Sequence, residues 1–133
     1  MVRMAKTVYV LGNELLQKDA LAVLVSRRLK GLQGIEFKHV DDPAELFQVP
    51  GEELMVMDVV RGLHQVKWLE DLSALKRGGV CSLHDFDFAF FIEMMLAKGD
   101  CKKFKILGIP MQYRPEKAVD EARVLLEKEA TRK

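Results

Sequence analysis

The chain is predicted to be an α/β fold: a mostly parallel, twisted sheet of about five strands with helices on both faces, in three layers. Three observations predict it. Short apolar or alternating runs recur from the start of the chain to the run at residues 103–109, and helical patterns separate several of them. The most apolar run, ELMVMDVV at residues 53–60, lies mid-chain. A near-continuous apolar strand is what burial on both faces of a parallel sheet requires. Strands that alternate with helices then connect by right-handed crossovers.

The elements follow in order. Residues 7–11 (TVYVL) are apolar and β-branched and stop at Gly12-Asn13, a buried first strand ending in a turn. Residues 19–29 (DALAVLVSRRL) read as a helix with Asp19 in its first turn. Arg27 and Arg28 sit near its end, where cations favour the dipole, and Gly31 lies beyond. IEFKHV at 35–40 alternates, as a strand nearer the sheet edge does, and Asp41-Asp42-Pro43 closes it before a short helix, AELF. Pro50-Gly51 then precedes the central strand, whose apolar run is first interrupted by a charge at Asp58, read at its end. HQVKWLE at 64–70 is a short strand, DLSAL a helical turn and Gly78-Gly79 a loop. His84-Asp85 opens a helix, FDFAFFIEMMLA, ending at Gly99, and KFKILGI makes another strand. Pro115 starts a last helix to about residue 128, with Ala118, Ala122 and Leu125 on one stripe and Val119 and Leu126 beside it.

Composition narrows the function classes. At 133 residues the chain fits one domain, 1–133, and 49% hydrophobic with 31% charged residues is too balanced for a disordered chain. A formal charge of +1 with dispersed Lys and Arg argues against a nucleic-acid partner. Lys102, Lys103 and Lys105 read as a soluble strand edge rather than a binding patch. Cys81 and Cys101 lack a C-x-x-C spacing, so a reducing cytoplasm is expected, without a disulfide scaffold or zinc knuckle. No apolar stretch reaches the roughly 20 residues a bilayer needs, and the start MVRMAKTVYVLGN runs directly into a strand, so neither a membrane nor a signal peptide is expected.

Three polar residues fall where strands give way to loops or helices: Asp19, Asp58 and His84. Open α/β sheets bind ligands at the carboxyl ends of their strands, so these are the candidates for chemistry. Two carboxylates and an imidazole make a hard-to-borderline metal site, open to a fourth ligand. Each also has a plainer role. Asp19 complements a helix dipole, Asp58 caps a turn, and His84 helps Ser82 or Asp85 cap the next helix. His39 and His64 suit such roles better. Met94 and Met95 read as core packing, and Cys81 as a buried inert thiol.

The motifs resemble one family. VLGNELLQKDALAVLVSRRL resembles the opening of the hydrogenase maturation endopeptidases, G-x-G-N-x-L-x-x-D-[DE]-G-x-G followed by a helix. MVMDVV resembles their apolar third strand ending in Asp, SLHDFDFAFFIEMM their ligand His followed by a helix, and KILGI their last strand. The resemblance covers most of the chain in the family's order, and the order is more specific than any one motif. It implies that Asp19, Asp58 and His84 are the metal ligands and carry the catalysis. It also implies nickel supplied by the substrate, with zinc or cadmium as surrogates, and an endopeptidase that removes a C-terminal peptide from a nickel-iron hydrogenase large-subunit precursor once nickel is installed. A cytoplasmic monomer is expected. Val10 stands at the family's first Gly, Lys18 at its first acidic residue, and Ala20 and Ala22 at two later glycines. Asp41-Asp42-Pro43 lies where many members carry a Gly-Thr loop associated with substrate choice, and the chain is shorter between Gly62 and His84.

Other readings compete. A catalytically silent metal-binding or assembly protein on the same fold fits the replaced glycines and Lys18. A receiver domain also ends its third strand in Asp, but Gly12-Asn13-Glu14 replaces the acidic pair that domain needs, and Lys105 begins its strand rather than ending it. A nucleotide-binding module needs the G-x-G-x-x-G turn that is missing after the first strand.

Overall fold

The computed structural model describes residues 5–12, 20–51, 53–70, 81–82, 97 and 103–132. Within them a six-stranded sheet forms: β1 (Lys6–Leu11), β2 (Ile35–Val40), β3 (Glu53–Arg61), β4 (Lys67–Leu69), β5 (Cys81–Ser82) and β6 (Lys103–Pro110). Its order is β2-β1-β3-β6-β4, with β5 joined to β3. β1 runs parallel to β2 and β3, and β3 parallel to β6, while β4 and β5 are antiparallel additions. The α/β fold with a mostly parallel sheet is therefore as the sequence predicts. The predicted helical turn at 71–75, the loop at Gly78-Gly79 and the helix opened by His84 lie outside the described residues, save Ala97.

The pleat sorts the central strand into two cores. Met55, Met57 and Val59 face one way, against α1 (Ala20–Arg28) and α2 (Pro115–Thr131). Leu54, Val56 and Val60 face the other, with Leu11, Val40 and Ile106, and among the described residues Leu46 of the 3-10 helix Pro43–Gln48 covers them. Period-2 alternation on a strand buried on both sides produces this division. The 3-10 helix starts where the sequence signals it. Asp42 caps it by accepting from Ala44 N–H at 3.0 Å, and the Glu45 carboxylate accepts back from Asp42 N–H at 3.1 Å.

α2 follows its apolar stripe with a small shift in phase. Ala118, Ala122 and Leu126 are fully buried at i, i+4 spacing, whereas Leu125, predicted on that stripe, is only partly buried. The end of α2 comes close to the start of β2. A Cβ on Gly34 would meet the Ala130 Cβ at 2.9 Å, so only glycine allows this approach, and its φ of +88° suits glycine too.

The amino end of the sheet is held by charge. Glu129 of α2 is 4% exposed; one carboxylate oxygen pairs with Lys105, the other with Lys6 at 2.8 Å and Arg132 at 3.1 Å. Arg132 also reaches Glu53 at 3.1 Å, and the Lys105 ammonium stands 4.6 Å from the centre of the Trp68 ring. Burial is the largest influence on Glu129 and would raise its pKa. Hydrogen bonds from Lys105, Lys6 and Arg132 together outweigh it and lower the carboxyl to about 2. The predicted soluble edge at Lys105 is corrected here. β6 lies between β3 and β4, and Lys105 is 7% exposed on a buried carboxylate.

Candidate functional site

The strand order turns at β1. From β1 the chain moves to β2 on one side, then crosses back to β3 on the other. Such a reversal opens a crevice beyond the carboxyl ends of the two strands that flank it, here β1 and β3. Their pairing runs Val8–Met55, Tyr9–Val56 and Val10–Met57 and goes no further. Asp58 is the next residue.

Asp58 thus sits where β1 parts from β3, still paired on its other side with Gly108 of β6. The sequence reading places it at a strand end. β3 instead continues to Arg61, because beyond Asp58 it pairs with β6 as far as Pro110 and with β5 at Val60 and Arg61. By the alternation of the pleat its side chain points to the face of Leu54, Val56 and Val60. It is fully buried, and its Oδ1 accepts the Val59 N–H at 2.9 Å. A carboxylate in an apolar layer is expensive unless compensated, so a strand selected for packing alone would carry an aliphatic residue here.

Gly108 shapes the same level of the sheet. A Cβ there would come within 2.5 Å of Leu63 Cδ1, so the missing side chain lets Leu63 pack onto β6. Asp19 and His84 lie outside the described residues. Asp19 immediately precedes Ala20, the first residue of α1, and Ser82, two residues before His84, pairs with Val60, two residues after Asp58. With two of the three candidate ligands outside, the described residues contain no cluster of three metal-ligating side chains.

Two features of this end of the sheet escape sequence reading. His39, assigned a bland place in an edge strand, sits with Nε2 2.7 Å from the Gly12 carbonyl oxygen and Nδ1 3.3 Å from Asp41 Oδ1. It lines a cavity of about 910 Å³ floored by Val10, Val23 and Phe37 and edged by Arg27 and Lys30. Beyond β6, the Tyr113 hydroxyl donates to Glu121 at 2.8 Å, and the same carboxylate accepts the Val66 N–H at 3.0 Å. Burial first, and then Glu121, raises the Tyr113 phenol above its ordinary value, so it remains a donor. This pair ties α2 to the segment leading into β4. In the sequence Glu121 resembles any charge on a solvated helix face, and no motif marks it.

No family model matches the chain, and no curated protein matches it in sequence. Solved structures do match in fold. A hydrogenase 3 maturation protease superposes with a TM-score of 0.62 at 17% identity, over 93% of this chain and 90% of the other. HycI, a NiFe hydrogenase maturation protease from Thermococcus kodakarensis KOD1, gives 0.61 at 16% identity, over 96% of this chain and 94% of the other. An uncharacterized protein from Wolinella succinogenes gives 0.51 at 21% identity, over 94% of each chain. The chain therefore has the fold found in hydrogenase maturation proteases, along almost its whole length.

Proposed function

We propose that this chain is an endopeptidase of the hydrogenase maturation type. It removes the C-terminal peptide of a nickel-iron hydrogenase large-subunit precursor, acting as a cytoplasmic monomer on a precursor that already carries nickel. The observation that carries the reading is Asp58, a fully buried carboxylate at the β1/β3 crevice, in a fold shared with two hydrogenase maturation proteases. Among the described residues no helix is long and apolar enough to cross a membrane.

The donor chemistry fits the ion. Asp58 would offer a shielded carboxylate from the floor of the crevice, with Asp19 and His84 adding a second carboxylate and an imidazole. Such a set suits nickel and accepts zinc or cadmium, while leaving positions open to the incoming chain. The metal supplies polarisation of a carbonyl or of water, and the sequence offers no Ser-His-Asp or Cys-His nucleophile that would make it unnecessary. The protein's part is then to hold the scissile bond beside the ion. If a carboxylate also takes a proton from the attacking water, we assign that role to Asp19, which precedes α1 in the chain, rather than to the wholly buried Asp58.

The test is cleavage of a nickel-loaded precursor by the wild-type chain and by Asp19→Ala, Asp58→Asn and His84→Ala, with folding checked by circular dichroism. Each variant should lose about 100-fold or more in rate, since losing even an outer-shell partner of a metal site costs up to that much. The nickel-free precursor should stay uncut. Full cleavage by all three variants would end the reading.

A further inference from the structure

We propose that the outer edge of β2 is where the C-terminal peptide of the precursor docks, as an added strand antiparallel to β2 with its free carboxylate beside Arg27 and Lys30. The identity of the docked peptide rests on the function proposed above, whereas the open edge and the groove beside it belong to the structure.

Among the described residues β2 is the last strand of the sheet and pairs only with β1. Lys6 N–H donates to the Gly34 carbonyl at 2.9 Å, and Lys6 is level with Ile35. In a parallel ladder that register turns the backbone groups of Glu36, Lys38 and Val40 inward to β1, and those of Phe37 and His39 outward. Among the described residues no backbone group pairs with the outward N–H and C=O of Phe37 and His39. Such a row of unpaired groups is the template on which strand addition works.

The face beside that edge carries a groove. Ile35 and Phe37 alternate onto the face that α1 packs on, and the cavity of about 910 Å³ lies there, between them and Arg27 and Lys30 of α1, over Val10 and Val23. Phe37 is only partly buried. A strand added beside β2 turns every second side chain to this face, so the edge takes the peptide's backbone and the groove takes its apolar side chains. Glu36 also borders the cavity, but by the same alternation its side chain belongs to the opposite face, with Val40.

Charge sets the direction. Asp41 borders the groove where β2 ends, and Arg27 and Lys30, at the end of α1, border it towards Ile35, where β2 begins. A chain arriving from the carboxyl ends of the strands therefore meets an acidic group first and two cations last. A peptide that ends in a carboxylate matches this polarity only when it runs antiparallel to β2. The reach is also defined. His39, Val10 and Met57 lie abreast in the sheet, and Asp58 follows Met57. A strand outside β2 is three spacings from β3, about 14 Å, which about four extended residues cross. Some six more line β2, so about ten residues beyond the cut fill the site.

The experiment measures binding of a labelled synthetic peptide copying the last twelve residues of the precursor, by fluorescence anisotropy, with circular dichroism as the check on folding. The free acid should bind the wild-type chain. Its C-terminal amide, and the variant Lys30→Glu, should each weaken binding about fivefold, the scale of an exposed ion pair. His39→Ala keeps the outward N–H at position 39 and should bind within about twofold of the wild type. His39→Pro lacks that N–H, a change an edge strand tolerates, and should bind at least about tenfold more weakly than His39→Ala. In the wild type, the peptide should slow amide exchange at Phe37 and His39, which decides the matter if His39→Pro does not fold. No binding of the free acid, equal binding by His39→Pro and His39→Ala, or unchanged exchange at Phe37 and His39 would overturn the docking site. Equal binding of acid and amide would overturn its direction. On nickel-loaded precursor, Lys30→Glu should raise KM about fivefold at unchanged kcat. That increase should vanish when the precursor is shortened to four residues beyond the cut, and an unchanged KM on the whole precursor would overturn the role of Lys30. A wild-type chain that binds the peptide but cuts no precursor would refute the proposed function and leave the docking site standing. One that cuts the precursor without binding the peptide would do the reverse.

Discussion

Glu129 shows what a buried charge needs in order to persist. Three cations donate to one carboxylate, and removing it would leave Lys105, at 7% exposure beside Trp68, with only the looser pairs to Glu53 and Glu70 at 3.7 Å. Glu129→Gln should therefore cost about 1.5–3 kcal/mol, the scale of hydrogen bonds to charged groups, measured by urea denaturation at pH 7. The pH dependence has a definite sign. The folded carboxyl lies at about 2 against an ordinary 4.5, so its stabilisation is complete above about pH 4.5 and is lost as pH falls from there towards 2. Glu129→Gln should lack that acid-dependent loss; an identical acid limb in the variant would assign it to other carboxylates. None of this was legible in the sequence, because Lys105 and Glu129 are 24 residues apart and each looks like an ordinary surface charge. Asp58 was legible for the opposite reason. A single charge inside a long apolar run has no solvated face to occupy, so it stands out before any fold is known.

At the level of elements, the sequence was most informative where periodicity was long. β1, β2, β3, β6 and α2 appear within a few residues of their predicted bounds, since each buries a run or stripe that only one backbone period can satisfy. β5 has two residues, and its pairing is decided by the strand it meets rather than by its own composition. The end of β3 was misread for the same reason, as neighbours carry it past Asp58. α2 retains one local imperfection. Pro115 opens it correctly, but Arg114 at the N-cap makes no side-chain capping bond and puts a cation at the positive end of the dipole. Arg114→Asp should add about 1 kcal/mol and raise the Tm by about 3 °C for a domain of this size. Calorimetry checks it, and a fall in Tm would mean that the arginine makes a compensating contact elsewhere.

Across the whole molecule, the sheet separates stability from chemistry. The ion network gathers at the amino end, where β1 and β3 begin and α2 finishes, and the crevice lies at the carboxyl end. β3 spans both. Glu53 belongs to the network and Asp58 to the crevice, five residues further on, or about 16 Å along an extended strand. Perturbations that far apart usually add to within about 0.5 kcal/mol. The double variant Glu129→Gln/Asp58→Asn should accordingly be destabilised by the sum of its single variants in urea. Glu129→Gln alone should process precursor with the wild-type kcat wherever it remains folded. A coupling energy well above that margin, or a kcat that falls with Glu129→Gln, would mean that β3 transmits the state of the network to the crevice. The two ends would then form one functional unit rather than a clamp and a site built on a common sheet.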